Sequence, residues 1–394
     1  MGGANDFANS FGTSIGSGAI NIRQAVLIAI ISTFIGAILV GGHVTDTIRK
    51  GIVEPGSFTA EPALLILGLL AALVGAGLFL QAATHFGLPV STTHAIVGSI
   101  IGFGVVALGF QAIRWGSLIN IVLSWVLSPV GGAIVAYITF RIIRNRVLER
   151  KHPEHAAITM IPVFVGLTAG VVFLSMIYKG LKNLHLDLPL YYALPAAVVI
   201  GLIIGVITRL RMPALVGRPR RIQLVYVESR FKFLQIVTAG YVAFAHGAND
   251  VANGIGPLAG IWTIYKQGIV GLKADVPVWI LALGATGIVL GLAIFGKRVI
   301  ETIGKKITAI TPSRGFSAEF AAATVVLVFS KLGMPVSTTH TLVGAIIGVG
   351  LARGIGAIDL RVVRSIFTSW IITIPASAAA AALAFAILRA AFGM

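Results

Sequence analysis

Two short polar motifs each occur twice in this otherwise apolar chain, at nearly the same spacing. Ala4-Asn5-Asp6-Phe7-Ala8-Asn9 returns as Ala248-Asn249-Asp250-Val251-Ala252-Asn253. Pro89-Val90-Ser91-Thr92-Thr93-His94 returns with every residue type unchanged as Pro335-Val336-Ser337-Thr338-Thr339-His340. Asn5 to His94 spans 89 positions and Asn249 to His340 spans 91. An internal repeat of this size requires the two halves to share a plan, so whatever one motif pair builds is built twice.

The surroundings set the solvent. The chain is 57% hydrophobic and 11% charged, against about 25% charged residues in ordinary soluble domains. Apolar runs such as Val26–Gly41, Leu64–Leu80 and Ile280–Phe295, with their flanks, suffice to cross a bilayer core of about 30 Å. The 47 glycines suit close helix contact in lipid, and the lack of cysteine excludes disulfides and thiolate metal sites. The formal charge of +17 is not a nucleic-acid footprint: Arg141–Lys151 and Arg209–Lys232 gather their basic residues at the ends of apolar segments. The positive-inside rule expects that placement.

These clusters organise the chain. Residues 1–148 form a first transmembrane repeat, 149–230 a linker with two transmembrane helices and basic cytoplasmic loops, and 231–394 a second repeat. The linker spans are predicted near 158–178 and 189–208, joined by a turn through Lys182 and Asp187. Both basic clusters flank that hairpin, so repeat one ends inside and repeat two begins inside. The loop at Lys297–Arg314 is basic, whereas its counterpart Asp46–Glu61 is not. Both facts predict inverted-topology repeats, with a site near the midplane where they meet. Repeat two has about fifteen residues, Phe231–Ala245, before its first motif; repeat one has three, and is expected to lack that N-terminal half-helix.

Both motif types carry chain breakers. Gly2-Gly3-Ala4-Asn5-Asp6 and Gly247–Pro257 are expected to interrupt helices, and Gly87-Leu88-Pro89 and Gly333-Met334-Pro335 to turn two re-entrant hairpins. Broken backbone at membrane depth is tolerated only inside protein or around a wet cavity. The fold expected is an all-α integral membrane protein of inverted repeats, with broken helices and two re-entrant hairpins.

Brought tip to tip, the hairpins offer six hydroxyls (Ser91, Thr92, Thr93, Ser337, Thr338, Thr339) and the first amides of two helices. That cup suits a tetrahedral oxyanion. Asn5, Asn9, Asn249 and Asn253 add amide donors or carbonyl oxygens. Asp6 and Asp250, carboxylates within apolar segments, mark a functional site by default, and with neighbouring oxygens they form an all-oxygen cage for a hard cation such as sodium. His94 and His340 suit a proton relay or a helix-start hydrogen bond equally. His43, His85 and His246 receive no role. Gln81, Thr84 and Ser330 are placed on the same cavity, and Ser124-Trp125 with Ser369-Trp370 are read as packing. Gly12–Gly18 lacks the ending of a nucleotide-binding loop.

The duplicated Gly-Ala-Asn-Asp-X-Ala-Asn and Pro-Val-Ser-Thr-Thr-His motifs resemble those of the inorganic phosphate transporter (PiT) family, across essentially the whole chain. The resemblance implies a multi-pass cell-membrane permease that is not an enzyme, about ten to twelve membrane segments, phosphate as substrate, a sodium or proton gradient as the driving force, and a homodimer. It assigns Asn5, Asp6, Asn9, Asn249, Asp250 and Asn253 to the cation and phosphate sites, and the hairpin hydroxyls to phosphate. Sulfate is the competing substrate within the family. A membrane hydrolase using Ser, His and Asp, and a plain ion channel, are the readings outside it.

Overall fold

The computed structural model describes residues 2–394 except 51, 54, 181–187, 214–217, 269, 271–275 and 333–335, with side chains also set aside at 7, 39–50, 55, 117, 120, 121, 179, 180, 248, 249, 330 and 331. The described residues form fourteen α-helices and no strand; one isolated bridge joins Val53 to Ile113. Helices α1 (Gly2–Gly16), α2 (Ile22–Lys50), α3 (Pro62–His85), α4 (Thr92–Leu108) and α5 (Trp115–Ile143) lead to the hairpin of α6 (Pro153–Ser175) and α7 (Leu190–Arg211). Then follow α8 (Arg220–Asn249), α9 (Val251–Gln267), α10 (Val278–Phe295), the short α11 (Lys297–Glu301), α12 (Pro312–Lys331), α13 (Thr338–Arg353) and α14 (Leu360–Ala391). The linker spans are thus observed as α6 and α7, while the turn through Lys182 and Asp187 lies outside the described residues.

Six of these helices are long and apolar enough to cross a membrane. Their outer faces carry Leu78, Val126 and Leu202, each 60% exposed or more, as a surface solvated by lipid requires. In contrast, α4 and α13 have 17 and 16 residues. At 1.5 Å per residue they are about 25 Å long, shorter than the bilayer core.

The two short helices begin alike. Ser91 and Ser337 are N-caps whose hydroxyls accept from His94 N and His340 N, each at 3.3 Å. Proline and a Ser-Thr-Thr cluster therefore do locally what such a sequence should. Before α4 the chain turns at Gly87, where φ is +68° and a side chain would be strained. Gly333-Met334-Pro335, the corresponding turn before α13, lies outside the described residues.

Each short helix packs on a long helix distant in sequence, α4 against α14 and α13 against α5. Glycine sets the approach. A Cβ on Gly344 would run into the backbone of Pro129, and one on Gly98 into Ile374 and Ser377. Gly98 and Gly344 are 246 positions apart, as are Pro129 and Pro375. Similar glycine contacts therefore tie α4 to α14 and α13 to α5.

One expectation fails. Helix α1 runs unbroken from Gly2 through Asn5 and Asp6 to Gly16. In the second copy the helix is interrupted at Asp250 alone, between α8 and α9, and Pro257 sits inside α9. Proline removes one donor and clashes with the carbonyl four residues back, here that of Asn253. It lies in the second turn, with Gly254 and Gly256 beside it, and the helix continues.

Candidate functional site

The four motif copies converge where α1, α9, α4 and α13 meet. Asn253 Nδ2 donates to Thr92 Oγ1 at 3.0 Å and to Thr93 Oγ1 at 3.1 Å. Thr92 Oγ1 donates in turn to Asp6 Oδ1 at 3.3 Å. The other side mirrors this: Asn9 Nδ2 donates to Thr339 Oγ1 at 2.6 Å, and Thr338 Oγ1 donates to Asp250 Oδ2 at 3.1 Å. Each aspartate therefore holds the first threonine of the hairpin in its own half. Each asparagine at the end of the motif reaches the hairpin of the other half. The hairpins also touch directly, Thr339 Oγ1 donating to Val90 O at 3.3 Å.

Asn5 is used differently. Its Nδ2 donates to Leu88 O at 2.9 Å and its Oδ1 accepts from Val90 N at 3.0 Å, a splint across the broken backbone at Pro89. Trp370 Nε1 braces the same turn by donating to Pro89 O at 2.9 Å. The Asn249 side chain, its counterpart, lies outside the described residues. Ser91 and Ser337 face their own helices as caps, as described above.

A cavity of about 300 Å³ opens here, and Asp6, Asp250, Thr92 and Asn253 line it together with glycines 2, 3, 254, 284 and 287. Both carboxylates face the same space, and no lysine, arginine or histidine is in its lining among the described residues. Asp6 and Asp250 are 3% and 5% exposed, so bulk water does little to offset their charge. Asn9 Oδ1 is also buried and has no hydrogen-bond partner among the described residues, which leaves a carbonyl oxygen aimed at no donor.

His94 and His340 stand behind the cup. Their rings meet edge to face with centroids 4.2 Å apart, and each lies against a tryptophan, His94 on Trp125 at 3.5 Å and His340 on Trp370 at 3.7 Å. Neither ring nitrogen of His94 has a hydrogen-bond partner among the described residues, and His340 lies within reach of the Trp125 backbone. The histidines and the tryptophans of the two Ser-Trp echoes together form one packed four-ring stack.

Two groups without an assigned role prove central. His246 Nε2 lies 3.2 Å from Asp250 Oδ2, while its Nδ1 is 2.9 Å from both Ser10 Oγ and Val242 O. Its spacing of four from Asp250 is the signal that could have found it. Glu319 is fully buried, and its carboxylate accepts from Thr13 and Ser14 of α1 at 2.5 and 2.8 Å, and from Thr238 and Gln235 of α8 at 2.5 and 3.3 Å. It is a polar knot joining three helices. Gln81 and Thr84, expected on the central cavity, line a separate neighbouring one instead, because Leu80 ends the wall of the first; the Ser330 side chain lies outside the described residues.

The profile described as the phosphate transporter family matches residues 2–381. The chain belongs to the phosphate transporter family. A Pyrococcus abyssi protein named as a candidate phosphate permease is 49% identical over 389 residues, which cover 98% of this chain and 94% of that relative. The chloroplastic inorganic phosphate transporter 2-1 of Arabidopsis thaliana is 44% identical, over 95% of this chain and 68% of its own length. A solved structure titled as the sodium-dependent phosphate transporter matches with a TM-score of 0.87 and 40% identity, covering 98% of this chain and 95% of that one. Membership in this family of transporters, together with the helices above, makes the chain a multi-pass membrane protein and not an enzyme.

Proposed function

We propose that the chain imports inorganic phosphate by symport with a cation, sodium in the first instance, at the cavity shared by Asp6 and Asp250. The observation that carries this reading is the composition of that cavity: two carboxylates, a threonine hydroxyl and an amide, with no basic side chain among its described residues. Two carboxylates in one lining disfavour a phosphate anion there. The same space becomes an anion site only when cations accompany the substrate, which is the requirement of symport.

The hydrogen bonds suggest how the two bind in order. Thr92 and Thr338 now spend their hydroxyl protons on Asp6 and Asp250. A cation at either carboxylate competes for that oxygen and releases the threonine O–H to the anion. The first amides of α4 and α13 have no preceding turn to bond, so they add donors and the positive ends of two helix dipoles. Thr93, Thr339, Asn9 and Asn253 complete the donor set, with Asn9 Oδ1 a further oxygen for the cation. Asn5 acts on this reading by holding the hairpin turn, and Asn249 keeps its expected place at the cation and phosphate sites.

Residues 1–148 and 231–394 are, in this reading, inverted repeats around residues 149–230. The paired contacts at matched positions support it, Asp6–Thr92 with Asp250–Thr338 and Asn253–Thr93 with Asn9–Thr339. A homodimer, implied by the family resemblance, remains part of the proposal. Radiolabelled phosphate uptake into proteoliposomes, with imposed sodium or pH gradients and sulfate as competitor, tests the reading. Uptake that follows neither gradient, or that sulfate displaces as well as phosphate does, overturns it.

A further inference from the structure

Beside the central cavity lies a second one of about 370 Å³, lined by Gln81, Thr84 and His85 of α3 and by Lys297 and Arg298 at the start of α11, with Ile294 and Phe295. It has the opposite character: two fixed cations and no carboxylate in its lining among the described residues. Arg298 is already oriented, because its Nη1 donates to His85 O at 2.5 Å and sits 3.1 Å from His85 Nδ1. Its remaining guanidinium nitrogens and the Lys297 ammonium make no hydrogen bond or ion pair among the described residues.

Position along the helices decides what this cavity serves. The central cavity is walled by Leu73, Ala76 and Leu80 of α3 and by Gly284 and Ile288 of α10. The second takes up where the first ends on both helices, from Gln81 on α3 and from Ile294 on α10. The two volumes thus follow one another along a single seam, and the sequence runs the same way on both walls. The N-terminal turn of α1 separates them, for a Cβ on Gly3 would meet the backbone of Ile288 and one on Gly296 would lie 3.6 Å from Ala4 O. Thr84 links the two, its hydroxyl accepting at 3.5 Å from Asn5 Nδ2, the same amide that splints the hairpin turn.

We propose that this cavity is a second oxyanion site, an antechamber where a tetrahedral anion is held by Lys297 and Arg298, with Gln81 and Thr84 as neutral donors, between the central site and the basic face of the protein. The proposal rests on the phosphate reading of the central site and adds a station to its route. On this basic, inward side a positive antechamber receives the anion when the cations leave the central cavity and hold it there no longer, and it concentrates the anion for the exchange reaction. Focusing of this kind accelerates charged-ligand encounter by about tenfold or more and fades with salt.

The test uses full-length protein and inorganic phosphate. Equilibrium binding to delipidated protein in detergent should show two classes in the wild type, one cation-dependent and one salt-sensitive. Lys297→Gln, an exposed side chain with no bond to lose, and Gln81→Glu, which adds a negative charge, should abolish the salt-sensitive class and keep the cation-dependent one. In proteoliposomes the same variants should slow phosphate exchange about tenfold at low ionic strength and leave it near wild type in high salt. Arg298→Gln belongs in the set, but it also frees the His85 carbonyl, so the other two variants decide the outcome. If both bind two classes and exchange at wild-type rates, the antechamber is refuted while the central reading stands. If the wild type shows neither cation-dependent binding nor uptake, the central reading fails by itself. If only anionic phospholipid, and no free phosphate, protects the protein through Lys297, the cavity is a head-group seat and the proposal is overturned.

Discussion

Replacing Asp6 by asparagine is the most direct probe of the coupling. The amide is close in shape to the carboxylate, and its carbonyl oxygen still accepts from Thr92 Oγ1, now 3.3 Å from Asp6 Oδ1. The fold has no reason to change. Only the charge is lost, at a side chain 3% exposed that faces a cavity free of basic groups among the described residues. Two unit charges about 4 Å apart attract by about 4 kcal/mol at an effective dielectric near 20. That figure corresponds to a loss of about a thousandfold in cation affinity. Phosphate affinity should fall with it at any cation concentration below saturation, since the cation is what turns Thr92 towards the anion. The assay is initial phosphate uptake into proteoliposomes across a range of sodium concentrations, with the melting temperature as a control for folding. Asp6→Asn should lose coupled uptake and keep the wild-type melting temperature. A correctly folded variant with wild-type sodium dependence would refute both the cation seat and the competition for Thr92.

Other outcomes follow from the same contacts. Thr92→Val should weaken phosphate binding by about tenfold or more while cation binding persists, measured by equilibrium dialysis; Thr92→Ser should restore it, since only the hydroxyl matters. Asn253→Ala and Asn9→Ala should harm phosphate affinity to a similar degree, because each reaches the opposite hairpin; a large effect from one and none from the other argues against the paired arrangement. Glu319→Ala strands buried hydroxyl and amide donors from α1 and α8 and should cost about 1–3 kcal/mol of stability, read as a lower melting temperature in detergent, with Glu319→Gln clearly milder. Gly344→Leu should prevent a monodisperse fold by driving α13 off Pro129, whereas Gly116→Ala, with nothing within 4 Å of the added carbon, should be tolerated.

The sequence was most informative where polarity stood out against oil. Asp6, Asp250, Thr92 and Asn253 were each legible from a motif, and the structure brings all four to one cavity. Ser91 and Ser337 were legible as hydroxyls, but sequence alone did not separate a hydroxyl that caps its own helix from one that faces the space beyond. Asn5 shows the same limit. Its residue type fits a ligand, and its geometry makes it a splint for Leu88 and Val90. The expectation of a break at Asn5–Asp6 failed for a related reason: glycine and asparagine weaken a helix by about 1 kcal/mol or less per residue, an amount that packing readily outweighs. Here Gly3 sits against Ile288 and Gly12 against Ile303, so α1 is held along its length.

What repetition hid was asymmetry. Matched positions pair His94 with His340 and pass over His246, whose counterpart 244 positions earlier is Gly2. By the 246-position offset of the hairpins that follow α3 and α12, Glu319 corresponds to Leu73. One half therefore carries a histidine beside its aspartate and a buried carboxylate knot, while the other carries a glycine and a leucine at the matched positions. On the proposed reading the two cation seats share the Asp–Thr contact but not their second neighbours, so their affinities should differ even though their first ligands match. Asp250→Asn, which also removes the charged partner of His246 Nε2 at 3.2 Å, should accordingly lower stability as well as coupling, whereas Asp6→Asn should touch coupling alone. Equal melting temperatures for the two variants would mean that the His246 contact contributes nothing, and that the two seats are alike after all.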